Sequence, residues 1–157
     1  CLGELLTTFV LVLITLSAAA QKTTSSETKG NLLTAYVGSA LGVMVGVYIA
    51  GGISGAHMNP AFTFSMCLVG QFPWWKFPIF AVVQTVSSFI SAGTTYILYY
   101  DAIQYYTNGS LEVYGPRETA SIFATYPADY VSVANGFLDQ VGGTASCPRP
   151  LQWCWSL

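Results

Sequence analysis

The chain has 157 residues, of which 53% are hydrophobic and only 8% charged, and its mean hydropathy is +0.53. Soluble domains carry about 25% charged residues, so this composition excludes a mainly water-facing surface and points to a lipid-facing one. A net charge of −2 leaves no basic stripe of the kind that nucleic-acid binding requires, which removes nucleic acid as a partner.

The charges are unevenly placed. None occurs between Glu4 and Lys22, between Lys29 and Lys76, or between Lys76 and Asp101, which leaves uncharged intervals of 17, 46 and 24 residues. A helix needs about 20 predominantly apolar residues to cross a hydrocarbon core of roughly 30 Å. Three spans fit these intervals, with an extra segment in the middle one.

The first span is predicted over Leu2 to Ala20, and the polar run Gln21 to Asn31 forms an exposed connection after it. The second, Leu32 to Ala50, carries Gly38, Gly42 and Gly46 at four-residue intervals. In lipid, such a stripe of small residues lets helix backbones approach closely and gain packing. The third, Phe77 to Tyr100, repeats the device with Ser87, Ser91 and Thr95, and Pro78 falls in its first turn, where the missing N–H costs nothing. Trp74 and Trp75 at one end and Tyr99 and Tyr100 at the other resemble the aromatic belts of a bilayer span. The fold class that follows is an all-α, multi-pass integral membrane protein whose first partner is the lipid bilayer.

Between the second and third spans the sequence reads GGISGAHMNPAFTFSMCLVGQFP. Gly51, Gly52 and Gly55 are expected to end the second helix and release the backbone. Asn59 followed by Pro60 is a good helix start, an N-capping side chain and then proline at the first helical position. A half-helix over residues 60–70 follows, ended by Gly70 and Pro73; about ten residues give roughly 15 Å, half a membrane. Bare loop backbone cannot face lipid, because each unpaired amide or carbonyl costs several kcal/mol there, so the segment predicts a re-entrant loop lining protein or a water-filled cavity. The helix N-terminus then presents positive partial charge near mid-membrane, and the Asn59 amide donates to a passing oxygen. That geometry suits neutral, hydrogen-bonding solutes and repels cations.

At these residues the chain resembles the aquaporin family, and within it the aquaglyceroporin branch. SGAHMNPA, Ser54 to Ala61, is similar to the family's first NPA box; GELLTTFVLVL resembles its first-helix signature; GPRETASIFATYP, Gly115 to Pro127, with NGFLDQ, Asn135 to Gln140, resembles its long third loop and the entry to a fourth helix. The resemblance implies a channel of two inverted repeats, each three helices and one half-helix, passing water, glycerol and similar small polyols or urea. It implies that Asn59 is a pore donor with Pro60 and Ala61 completing the box. It puts Gly38 in the narrow selectivity ring, where glycine leaves a wide opening; the stripe with Gly42 and Gly46 offers helix packing as the other reason for a small residue there. Glu4, an acid inside a span, is implied to hold the re-entrant loop by accepting its backbone hydrogen bonds; a place at the membrane edge is the other reading. Thr7 stands where the family usually has glycine. A plasma-membrane homo-tetramer is implied as well.

His57, the sole histidine, is either a satisfied structural residue or a group at the inner mouth of the pore, where protonation near its ordinary pKa of about 6.5 would place a cation. Asn108-Gly109-Ser110 is a glycosylation sequon, and its use would put the long loop, residues 101–136, outside. Cys147 and Cys154 lack zinc spacing, and Cys1 and Cys67 sit among apolar residues, so no metal site is expected. No phosphate loop, dinucleotide fingerprint or catalytic pairing of His57 with a nucleophile is visible, so no cofactor and no enzyme are implied. Residues 1–140 form the channel-like unit, and 141–157, with Pro148 and Pro150, are expected to be an irregular tail. The expectation is a first repeat whose second is missing and which does not conduct alone. The alternative is a non-transporting assembly subunit that binds full-length channels through its second and third helices.

Overall fold

The computed structural model describes residues 1–126 and 130–146. Among them the chain is all helical: α1 (Leu2–Thr24), α2 (Leu32–Ser54), α3 (Pro60–Leu68), α4 (Phe77–Leu98), α5 (Tyr100–Thr107) and α6 (Val133–Ser146), with single 3₁₀ turns at Trp74–Lys76 and Ala120–Ile122. Three apolar segments, Leu2–Thr24, Leu32–Ser54 and Trp74–Leu98, are long enough to cross a membrane.

Local chemistry sets the boundaries. α2 opens on a reciprocal cap in which Asn31 Oδ1 accepts from the Thr34 amide at 3.0 Å and Thr34 Oγ1 accepts from the Asn31 amide at 2.9 Å. It then runs through Gly51 and Gly52, which the sequence reading had ending the helix near residue 50. Only Gly55, left-handed at φ 87°, stops it, with its amide bonded to the Gly51 carbonyl. The physical reason is that a bilayer supplies no water to compete for backbone groups, so keeping the helical bonds outweighs the usual glycine penalty. The long connection is also more ordered than a loop: α5 and the Ala120–Ile122 turn lie within it, and Ile103 and Ile122 close over Ala20 at the end of α1. α6 continues through residues 141–146, part of the tail expected to be irregular; residues 147–157, with both tail prolines, lie outside the described residues.

α1 is the central helix, packed on α2 on one side and α4 on the other. Its α2 contacts run antiparallel: Gly42 meets Leu11 and Ile14, Gly46 meets Thr7, and Gly3 meets Ala50 and Ser54. Its α4 contacts run parallel, because the hydroxyl of Ser87 donates to the Leu5 carbonyl and that of Ser91 to the Phe9 carbonyl. Both seams use what association in lipid requires, small side chains for close approach and hydroxyls as hydrogen-bond glue. Burial is accordingly inverted relative to a soluble core. Gln84, Ser87, Ser91 and Thr95 of α4 are buried, while Phe89 is 80% exposed and Tyr48 on α2 is 86% exposed. Large apolar groups face outward, as a lipid solvent demands.

The glycines of these helices are not equivalent. A β-carbon at Gly46 would collide with the Met58 sulfur, whereas at Gly93 in α4 it would meet nothing. Gly46→Ala is expected to destabilise by about 1–3 kcal/mol through overpacking, while Gly93→Ala is neutral or slightly stabilising because alanine is the better helix former. Thermal unfolding of the two variants side by side in detergent checks the contrast.

Candidate functional site

The turn from α2 into α3 is forced into unusual backbone. Gly55, Ala56 and Met58 all have positive φ, at 87°, 46° and 55°, and for residues with a β-carbon that conformation costs roughly 1–2 kcal/mol each. The compensation is Glu4, which reaches across from α1 with no exposed surface. Its carboxylate accepts from the amides of His57 at 3.0 Å and Met58 at 2.9 Å, from Ser54 Oγ at 2.6 Å and from Gln84 Nε2 at 2.8 Å. Four donors converge from α2, the turn and α4, so a charge that would be expensive in lipid is neutralised by oriented dipoles.

The turn lies inside the bundle rather than at its end. Met58 packs on Gly46, eight residues or roughly 12 Å back from the end of α2. Gln84 is seven residues or roughly 10 Å into α4. From that depth α3 runs back to the start of α4, where the Phe64 ring meets Trp74 and Phe77 at 5.7 Å. The segment therefore enters and leaves at one end of the bundle, with the N-terminus of α3 at its deepest point.

Asn59 caps that N-terminus. Its Oδ1 accepts from the Ala61 amide at 2.8 Å, its carbonyl accepts from the Thr63 amide at 3.0 Å, and Pro60 occupies the first turn. With the oxygen engaged, the side-chain NH2 is left to donate, and Asn59 is exposed. The dipole of α3 adds positive partial charge at the same place.

His57 is 8% exposed and sits against the rings of Phe62, Phe72 and Phe80, with centroids at 5.2, 4.8 and 5.8 Å. Its Nδ1 is 3.2 Å from Thr63 Oγ1. Thr63 donates its one hydroxyl proton to the Asn59 carbonyl at 3.0 Å and accepts from Gln84 Nε2 at 3.2 Å. The direction of the His57–Thr63 bond follows the ring's tautomer.

One cluster therefore unites Glu4, His57, Asn59, Pro60 and Ala61. Gly38 lies apart, eight residues or roughly 12 Å beyond Gly46 along α2. A β-carbon there would sit 3.6 Å from that of Ala18, an ordinary contact, so packing against α1 does not by itself require glycine at this position. Asn108 is at the far end of the bundle, left-handed at φ 53° after α5. Among the described residues no group of three or more His, Cys, Asp or Glu side chains is placed to hold a metal. Sequence reasoning missed Gln84, Thr63 and Ser54. Gln84 was the detectable one, a lone carboxamide in an uncharged interval that needs a buried partner.

Glu4→Gln is expected to destabilise by about 2–4 kcal/mol, because an NH2 replaces one acceptor oxygen and faces a donor that stays buried. Hydrogen exchange at the His57 and Met58 amides is expected to accelerate together, and exchange mass spectrometry over residues 55–60 reads it directly.

Residues 1–146 match the family described as "Major intrinsic protein". The chain is 57% identical to human aquaporin-10 over 144 residues, 92% of this chain and 48% of that protein. It is 41% identical to human aquaporin-9 over 143 residues, 91% of this chain and 48% of that one. With mouse aquaporin-7 it shares 43% identity over 139 residues, 88% of this chain and 46% of that protein. The chain thus spans about half the length of the relatives it matches. With three membrane-length helices around a short re-entrant one and the family match covering nearly all of its length, this chain belongs to the major intrinsic protein family.

Proposed function

We propose that this chain supplies half the wall of a membrane channel that passes water, glycerol and comparable small neutral solutes such as urea. The observation that carries the reading is the capped N-terminus of α3. Its Asn59 oxygen is engaged by the Ala61 amide, so the Asn59 side chain offers its NH2 to a passing solute. It is held at depth by the Glu4 carboxylate rather than by the turn's own backbone. A donor beside the positive end of the α3 dipole favours hydroxyl and water oxygens and opposes cations. Pro60 and Ala61 complete the donor end. Gly38, farther along α2, is the path's wide constriction, because a glycine there adds no side chain to the opening. A homo-tetramer in the plasma membrane completes the proposal, with Asn108 glycosylated on the outer side.

In a complete channel carrying this segment, Asn59→Ala is expected to lower glycerol and water permeability at least about ten-fold, the loss of roughly one charge-assisted or two neutral hydrogen bonds in the path. Stopped-flow swelling of proteoliposomes reads both solutes. Unchanged permeability, or a cysteine at position 59 that labels freely from the headgroup region only, overturns the reading. Liposomes holding this polypeptide alone are expected to swell like empty ones. If they do and the chain copurifies with a complete channel that does not need residue 59, the assembly-subunit reading takes its place.

His57 extends the proposal to pH. Protonation would place a charge on a ring that is 8% exposed and packed among Phe62, Phe72 and Phe80, where an unpaired charge is costly, so the ring is expected to leave that packing in acid. Glycerol flux at about pH 5.5 is expected to differ from that at about pH 7.4, and His57→Ala to abolish the difference. Equal fluxes before substitution remove His57 from the mechanism.

A further inference from the structure

At the end of the bundle opposite the re-entrant turn, an open surface pocket of about 500 Å³ lies between the α1–α2 connection and α5, lined in part by Tyr105, which is 86% exposed. One wall is Thr24, Ser25 and Ser26; the other is Tyr105, Tyr106 and Asn108; Arg117 of the long connection completes the lining. Among the described residues no carboxylate and no aliphatic side chain lines it.

The walls are fixed by bonds of their own. Ser26 and Glu27 are left-handed at φ 49° and 63°, held by the Glu27 amide on the Lys22 carbonyl at 3.0 Å. The Gly109 amide on the Gln104 carbonyl at 3.0 Å sets Asn108. Tyr106 donates its hydroxyl to the Pro116 carbonyl at 3.2 Å, which pins the residue before Arg117 to α5. The hydroxyls of Thr24 and Ser25 are likewise engaged by backbone. Four polar groups of the lining have no partner among the described residues: the Ser26 and Tyr105 hydroxyls, the Asn108 carboxamide and the Arg117 guanidinium.

This set discriminates among ligands. A metal ion would need carboxylates, and the described residues place none in the walls. A phosphate or sulfate would need more than one cation, and among the described residues Arg117 is the one in the lining, with Glu112 and Glu118 close in sequence. Groups that both donate and accept, beside a broad aromatic face, match a ring that carries hydroxyls on its edge and C–H bonds on its face. We propose that this pocket binds a pyranose sugar, stacked on Tyr105 and hydrogen-bonded by Ser26 and Arg117, with Asn108 a third partner for a free sugar and the attachment point for a linked one. The sugar has two sources with one chemistry. One is a free saccharide; the other is the first N-acetylglucosamine of a glycan on Asn108, which would start in the pocket wall. Only the second source rests on the glycosylation proposed above, and neither rests on the channel reading.

The test uses the full chain in lipid nanodiscs, made in a bacterial host without N-glycans. Saturation-transfer NMR with N-acetylglucosamine and glucose is expected to show transfer to ring protons, and inorganic phosphate, followed by ³¹P line broadening, is expected not to bind. Tyr105→Ala and Arg117→Ala are each expected to weaken sugar affinity at least about ten-fold, and Tyr105→Phe, which keeps the ring, to weaken it less. Both positions are surface side chains, and unchanged thermal unfolding of the variants separates lost binding from lost fold. Absence of transfer to either sugar, affinity in both alanine variants equal to that of the unsubstituted chain, or phosphate binding in place of sugar overturns the proposal. In chain from a glycosylating host, loss of free-sugar transfer that returns on enzymatic removal of the glycan assigns the site to the chain's own sugar. Free-sugar transfer that persists with the glycan in place, or with Asn108 unmodified, assigns it to a free saccharide.

Discussion

The architecture depends on one buried carboxylate. Glu4 gathers donors from α2, from two successive amides of the turn and from α4. Without that acceptor the amides of His57 and of the left-handed Met58 would point toward nothing, in a region where water does not offer an alternative. The exchange is mutual: the turn neutralises a charge that α1 otherwise has no reason to carry so close to lipid, and the charge holds the turn in a conformation its own residues disfavour. What is fixed by this arrangement is a position, the depth and direction of the α3 N-terminus.

The rest of the bundle serves that position by letting three elements come close enough to meet. Glycine at 42 and 46 brings α2 onto α1, and serine at 87 and 91 brings α4 onto its other side. Apolar bulk is spent on the outer surface, where α2 and α4 present tyrosine, phenylalanine and isoleucine to the bilayer. The buried side chains are small or polar and nearly all satisfied; among the described residues Thr8 Oγ1 is the one buried side-chain polar atom without a partner. Specificity of packing comes here from close backbones and paired hydroxyls rather than from a large hydrophobic core.

Much of this was legible in the residues. Uncharged intervals located the spans, the Asn59-Pro60 pair located the start of α3, and the small-residue stripes named the helix faces that meet. The misreadings have a common physical origin. Gly51 and Gly52 looked like breakers because glycine breaks helices in water, yet in this setting the backbone bonds hold and only the left-handed demand at Gly55 ends α2. The polar hub escaped for a different reason: Ser54, Thr63 and Gln84 come from three separate elements, and no local spacing announces that they converge. The order in the long connection, α5 with Ile103 and Ile122 over Ala20, rests on a few tertiary contacts between residues far apart in sequence. Periodicity within a window cannot register such contacts.

The span between Glu4 and Gln84, 80 positions apart, has a consequence for biogenesis. During synthesis the carboxylate emerges first, and its full complement of donors exists only once the fourth helix has been made. Until then the first helix carries an unmatched anion, so its release into hydrocarbon competes with retention beside the wet interior of the insertion machinery. The helices are thereby coupled in time as well as in space, and assembly of the bundle favours a late, concerted exit over stepwise departure of one helix after another.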